Sequence, residues 1–86
     1  MPEVDKDELD KKMRKNGWSF VGPILHYEKA LENQASVYKK NGKYVVSGID
    51  SSGKEELLEP IEKGEAEKRV KESMEEIKKH MFSSIE

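Results

Sequence analysis

The run GIDSSGKE places Gly48, Gly53 and Lys54 at the spacing of a phosphate-cradling loop, in which backbone amides wrap the phosphates and the lysine neutralises them. Such a loop follows a buried parallel strand, opens a helix and ends in Ser or Thr to hold magnesium. Here Glu55 and Glu56 come next and would repel phosphate, so the run is read as a turn. The acidic run DKDELD has carboxylates enough for calcium, but Leu9 stands where a third oxygen ligand belongs and no loop glycine follows. Its acids are better explained as first-turn charges on a helix. The two histidines, His26 and His80, fall in different segments with no second imidazole or thiol close by. A zinc or acid–base role would require His26 to meet carboxylates from elsewhere in the fold, whereas His80 near a helix C-terminus is explained by the dipole. Ser51, Ser52, Ser83 and Ser84 lie in a turn or at the chain end, outside any GxSxG context. Cysteine is absent, which excludes disulfides, thiolate metal sites and cysteine nucleophiles. The sequence assigns no catalytic, cofactor-binding or metal residue, and an enzyme is not expected.

One stretch has the parts for nucleic acid. YKKNGKY supplies Lys39, Lys40 and Lys43 for phosphates, and Tyr38 and Tyr44 as flat rings for bases. The same residues also suit a solvated hairpin, because Asn41-Gly42 makes the turn, tyrosine favours strands and lysine discourages pairing between molecules.

The elements that must position these groups are legible in outline. Asp5 caps a helix over about 6–15, with Glu8 three residues on and Val4 placed to pack on Leu9. Leu9 and Met13 share a face, Lys11, Lys12, Arg14 and Lys15 complement the dipole, and Asn16-Gly17 supplies the stop. Strands follow within about 18–59. Pro23 after Gly22 marks an edge or bulge, and the stretch from Ser19 to Gln34 is ambiguous. ASVYKK and KYVVSGI form a hairpin about Asn41-Gly42 in which Tyr38 faces Val45, Val37 faces Val46 and Lys39 faces Tyr44. Asp50 to Gly53 makes a second turn, and a short strand KEELLEP ends at Pro60. Ala66, Val70, Met74, Ile77 and Met81, at spacings of four, four, three and four, mark an amphipathic helix over about 65–81, followed by a short flexible tail at 83–86. The fold class is α+β: an N-terminal helix packed at a sheet edge, a three- or four-stranded antiparallel meander, and a C-terminal helix on one sheet face.

Composition bounds the rest. The 86 residues make one small domain, with 34% hydrophobic and 40% charged residues, so the core is minimal and a partner would help to stabilise it. No charged leader followed by an apolar run opens the chain, and WSFVGPIL is too short to cross a bilayer. A cytoplasmic protein without membrane contact is expected. The net charge of −2 is uneven: residues 17–54 carry five lysines against three acids, and residues 55–86 carry ten acids against six bases. Binding to a polyanion would therefore be local.

The run NGKYVVSGIDSSGKEELLEP followed by KGEAEKRVKES, from residue 41 to about 78, resembles the three-strand-plus-helix DNA-binding domain at the N-terminus of some phage integrases, in its Gly42, Tyr44, Asp50, Gly53, Lys54, Lys63, Glu65 and Ala66. The resemblance implies a sheet lying in the major groove. The chain departs from it at Glu55, Glu56 and Glu59, where that family is basic.

The function expected is a small non-catalytic interaction module, a regulator, inhibitor or accessory subunit that binds another protein or a second copy of itself through Val70, Met74, Ile77 and Met81. The alternative is a weak DNA- or RNA-binding domain using Tyr38, Lys39, Lys40, Lys43 and Tyr44. No cofactor is expected.

Overall fold

A computed structural model describes the backbone of residues 5–85 and the side chains of residues 5–81. The element order is α1 (Lys6–Lys15), β1 (Ser19–Pro23), β2 (Ala30–Lys40), β3 (Lys43–Asp50), β4 (Glu56–Ile61) and α2 (Lys63–Ile85). The four strands form one antiparallel sheet in the order β1-β2-β3-β4. The expected α+β architecture is the one observed.

α1 spans the expected residues because both ends are written locally. The Asp5 carboxylate accepts from the Asp7 amide at 2.9 Å, satisfying one of the donors a helix start leaves open. Val4, expected to pack on Leu9, lies outside the described residues. At the other end the Gly17 amide donates to Arg14 O (3.0 Å) and the Trp18 amide to Met13 O (3.1 Å), the paired bonds of a Schellman stop.

The hairpin register is also as expected, with Lys40 opposite Lys43 and Tyr38 opposite Val45. Asn41 and Gly42 have φ of 51° and 77°, the mirror-image turn whose twist suits the flanking strands. β1 is an edge strand, bulged between Phe20 and Gly22. On the opposite edge, the Asp50 amide donates to Glu55 O at 2.9 Å. The β3–β4 ladder is regular from that pair onward, so alternate amides of β4, at Glu56 and Leu58, point away from the sheet. β4 runs through Pro60, its expected end, to Ile61, because Pro60 is the next outward position on the edge, where the N–H it lacks is not one the ladder needs.

Alternation along the strands creates two buried faces. One carries Ala35, Val37, Val46 and Leu57, covered with Ile24 by Ala66 and Val70 of α2. Two glycines permit this packing. A Cβ at Gly22 would stand 2.5 Å from Val70 Cγ1, and a Cβ at Gly48 would stand 2.2 Å from Gln34 O. The second contact arises where β2 bulges out of register between Ala30 and Ala35.

The N-terminal helix does not pack at an edge. Lys12 pairs with Glu56 on β4 at 2.9 Å, while Arg14 lies 5.8 Å from the centre of the Phe20 ring on β1, so α1 lies on the second face with side chains reaching toward both edges, and it leaves Leu58 exposed. Leu9 and Met13 are buried there, together with Tyr38, Ile49, Ser36 and Ser47. The small side chains of Ser36 and Ser47 leave a cavity of about 300 Å³ between α1 and the sheet, bordered by Leu9, Asp10 and Tyr38.

α2 begins two residues earlier and runs four residues further than the Glu65–Met81 expectation. No glycine or proline follows Met81, so nothing stops the helix. Residues 83–85, expected as a tail, are helical, and Glu86 lies outside the described residues. No described helix is long and apolar enough to cross a membrane.

Candidate functional site

Opposite the hairpin end, the C-terminal half of α2 and the β1–β2 connection form a groove of about 510 Å³. Its apolar surface comes from Pro23, Leu25, Ile77 and Met81, and its rim from Lys6, His26, Glu32, Glu76 and His80. The connection is fixed by contacts spread along α2. The Leu25 amide donates to the buried Ser73 hydroxyl at 2.8 Å, which satisfies a main-chain donor the sheet does not use. His26 has φ of 57°, a left-handed conformation that few non-glycine residues adopt. Arg69 donates to the His26 carbonyl at 3.4 Å, and His26 Nε2 sits 3.0 Å from Glu76 Oε1.

The two histidines, remote in sequence, therefore meet at one carboxylate. His80 Nε2 lies 4.0 Å from the same Glu76 oxygen, one helical turn on. Hydrogen bonding to Glu76 raises the His26 pKa above its ordinary 6.5. The same bond holds the Glu76 carboxyl below its ordinary 4.5, with the charges of His26 and His80 adding to the effect. Both groups face solvent, so the pair is a surface contact. Among the described residues, no three His, Asp or Glu side chains come together as a metal-binding group.

The four residues expected to form one interaction face are divided. Val70 packs against the core, Ile77 and Met81 line the groove, and Met74 is exposed outside it. The inward line of α2 passes through Ser73, 4% exposed, instead of Met74, 41% exposed. Ser73 continues the Ala66–Val70–Ile77 spacing as well as Met74 does, and a serine on an inward stripe is the signal that a main-chain group waits opposite. Glu76 carried no comparable signal, because its partner lies 50 residues away.

The hairpin residues are divided as well. Tyr38 is buried beneath α1, where its hydroxyl donates to Asp10. Burial and that bond push the phenol pKa well up, while the Tyr38 hydroxyl and then Arg14 hold the Asp10 carboxyl below its usual range. Tyr44 packs on the opposite side of the sheet against the α2 core. Neither tyrosine offers a free ring at the tip. Lys40 donates to Asn16 O at 2.7 Å, and Lys39 and Lys43 are exposed. The free aromatic at this end is Trp18, half-buried, with Lys40 Nζ 5.8 Å from its ring centre.

The phosphate-like run is a closed turn. Asp50 Oδ1 accepts from the Ser52 amide (3.1 Å), the Ser52 hydroxyl (2.6 Å) and the Glu55 amide (3.4 Å). A carboxylate of the chain itself thus occupies amides that a phosphate would need, and these bonds, led by the Ser52 hydroxyl, lower the Asp50 pKa.

No protein family, curated protein or solved structure matches the chain. The resemblance to the integrase DNA-binding domain also meets a geometric obstacle. Part of the sheet face opposite α2, which such a domain would lay in the major groove, is occupied by α1, whose side chains reach Glu56 on one edge and Phe20 on the other.

Proposed function

We propose that this chain is a non-catalytic interaction module that holds another protein, or a second copy of itself, in the groove beside α2. The observation that carries the reading is the apolar strip Leu25, Ile77 and Met81 inside a rim of ionisable side chains, with Met81 61% exposed. A groove with an apolar floor and a polar border suits a side chain or helix face of a partner. Methionine suits such a surface because its unbranched side chain adapts to different contours. A domain with so small a core would also gain stability from a bound partner. The role expected of such a module is regulatory, inhibitory or accessory, in the cytoplasm.

The test is sedimentation velocity of the pure chain over a range of concentrations, followed by affinity capture from lysate with wild type and Ile77→Asp. A complex formed by the wild type and lost in Ile77→Asp supports the reading. A monomer at every concentration, with a capture profile that the substitution leaves unchanged, removes it.

A further inference from the structure

A second concave surface lies at the hairpin end, away from the groove, and is independent of it. Trp18, Lys43, Val45, Pro60, Ile61, Glu62 and Lys63 border a slot of about 490 Å³. We propose that this slot binds single-stranded nucleic acid, with a base against Trp18 and the Val45–Pro60 floor and the flanking phosphates on Lys43 and Lys63.

The electrostatics of this end favour an anion. Lys43 and Lys63 make no ion pair among the described residues, and Glu62 is the one carboxylate bordering the slot. Lys43 stands directly opposite Lys40 across the hairpin, a like-charge pair that is unfavourable without an anion nearby. Helix polarity acts in the same sense. α2 starts at Lys63, so the positive end of its dipole faces the slot. The carbonyl end of α1, also located here, is neutralised by the Lys40 ammonium on Asn16 O.

The aromatic decides between kinds of polyanion. An acidic peptide needs only the lysines, whereas an unstacked base also uses a flat ring and an apolar floor. A base reaches such a ring only after leaving its own stack, so the single strand is the form that fits.

Trp18 is the only tryptophan, so its fluorescence reports the slot directly. The experiment is a fluorescence titration with an oligothymidylate of about ten nucleotides, and in parallel with polyglutamate of similar charge. Quenching by the oligonucleotide is expected at low salt. With Lys43 and Lys63 as the phosphate contacts, affinity should fall roughly seven-fold between about 50 and 200 mM salt. In the exposed double substitution Lys43→Gln/Lys63→Gln, with unchanged circular dichroism, binding should weaken and its dependence on salt should largely disappear. Absence of quenching at low salt overturns the proposal, as does a double variant that binds like wild type. Equal quenching by polyglutamate also overturns it, by making the slot a site for acidic protein.

Discussion

The hydroxyl of Tyr38, at the middle of the sheet, donates to the Asp10 carboxylate on α1, while the ring packs edge-on against Phe20 at 5.6 Å. One side chain thus joins helix, central strand and edge strand. Tyr38→Phe keeps the ring and removes only the hydrogen bond. The carboxylate left behind retains Arg14 at 2.9 Å and some access to water, so the loss should be about 1 kcal/mol. Tyr38→Ala removes the packing too and should cost about 3–5 kcal/mol. Urea unfolding of both variants checks the difference.

Ser47, next to Tyr38 on the same face, should respond with the opposite sign. Its hydroxyl is buried without a partner among the described residues, so Ser47→Ala removes a desolvated polar group and little volume. The expected gain is up to about 1 kcal/mol, read as a higher urea midpoint with an unchanged slope. Loss of stability in Ser47→Ala would show that the hydroxyl is satisfied in solution.

Gly22 and Val70 are complementary in space. A methyl group at Gly22 would meet Val70 Cγ1 at 2.5 Å, so Gly22→Ala should cost about 1–3 kcal/mol by overpacking. Val70→Ala alone leaves a cavity and costs about 1–3 kcal/mol on its own, given that the site is only partly buried. The double variant should be more stable than the sum of the two losses predicts, by about 1 kcal/mol or more. Strict additivity would mean that α2 does not close on β1 at this point. Gly48→Ala offers no such rescue, because the atom it meets is the Gln34 carbonyl oxygen of the bulge.

The contact between His26 and Glu76 sets a pH window for the groove. The His26 pKa is raised, so its contribution is complete below the unfolded value near 6.5 and is lost as pH rises through the folded value. The Glu76 pKa is lowered, so its contribution is present above about 4.5 and is lost as pH falls through the folded value. The connection should therefore be held most firmly between these limits and loosen as pH rises through the folded His26 value. Histidine ring shifts followed by NMR should give a His26 pKa above 6.5, returning toward that value in Glu76→Gln. An unchanged midpoint in Glu76→Gln would show that the two side chains do not meet. Low salt should strengthen the effect, since both partners are exposed.

The features legible in the sequence are those written over a few neighbouring residues. Asp5, Asn16-Gly17 and Asn41-Gly42 fix their backbones by local chemistry, and α1 and the central hairpin follow from them with the expected bounds and register. The seating of α1 on the second sheet face was not legible, because its partners Phe20, Tyr38 and Glu56 stand on three different strands. The bulge before Ala35 depends on Gly48 in a different strand. Trp18 looked like a strand residue, yet as the residue closing the α1 stop it is delivered to the hairpin end. The groove was legible only in part: periodicity pointed to Ile77 and Met81, whereas the meeting of His26 with Glu76 is a product of tertiary folding.

Pro60 also limits what the domain can become. An incoming strand at the β4 edge finds donors at Glu56 and Leu58 and then none, because the third outward position is an imide. Any ladder begun there loses its donor at the third outward position, and on the far side the bulged β1 offers no straight template. Repetition of this sheet from molecule to molecule into a fibril is therefore discouraged at both edges, and association is left to side-chain surfaces.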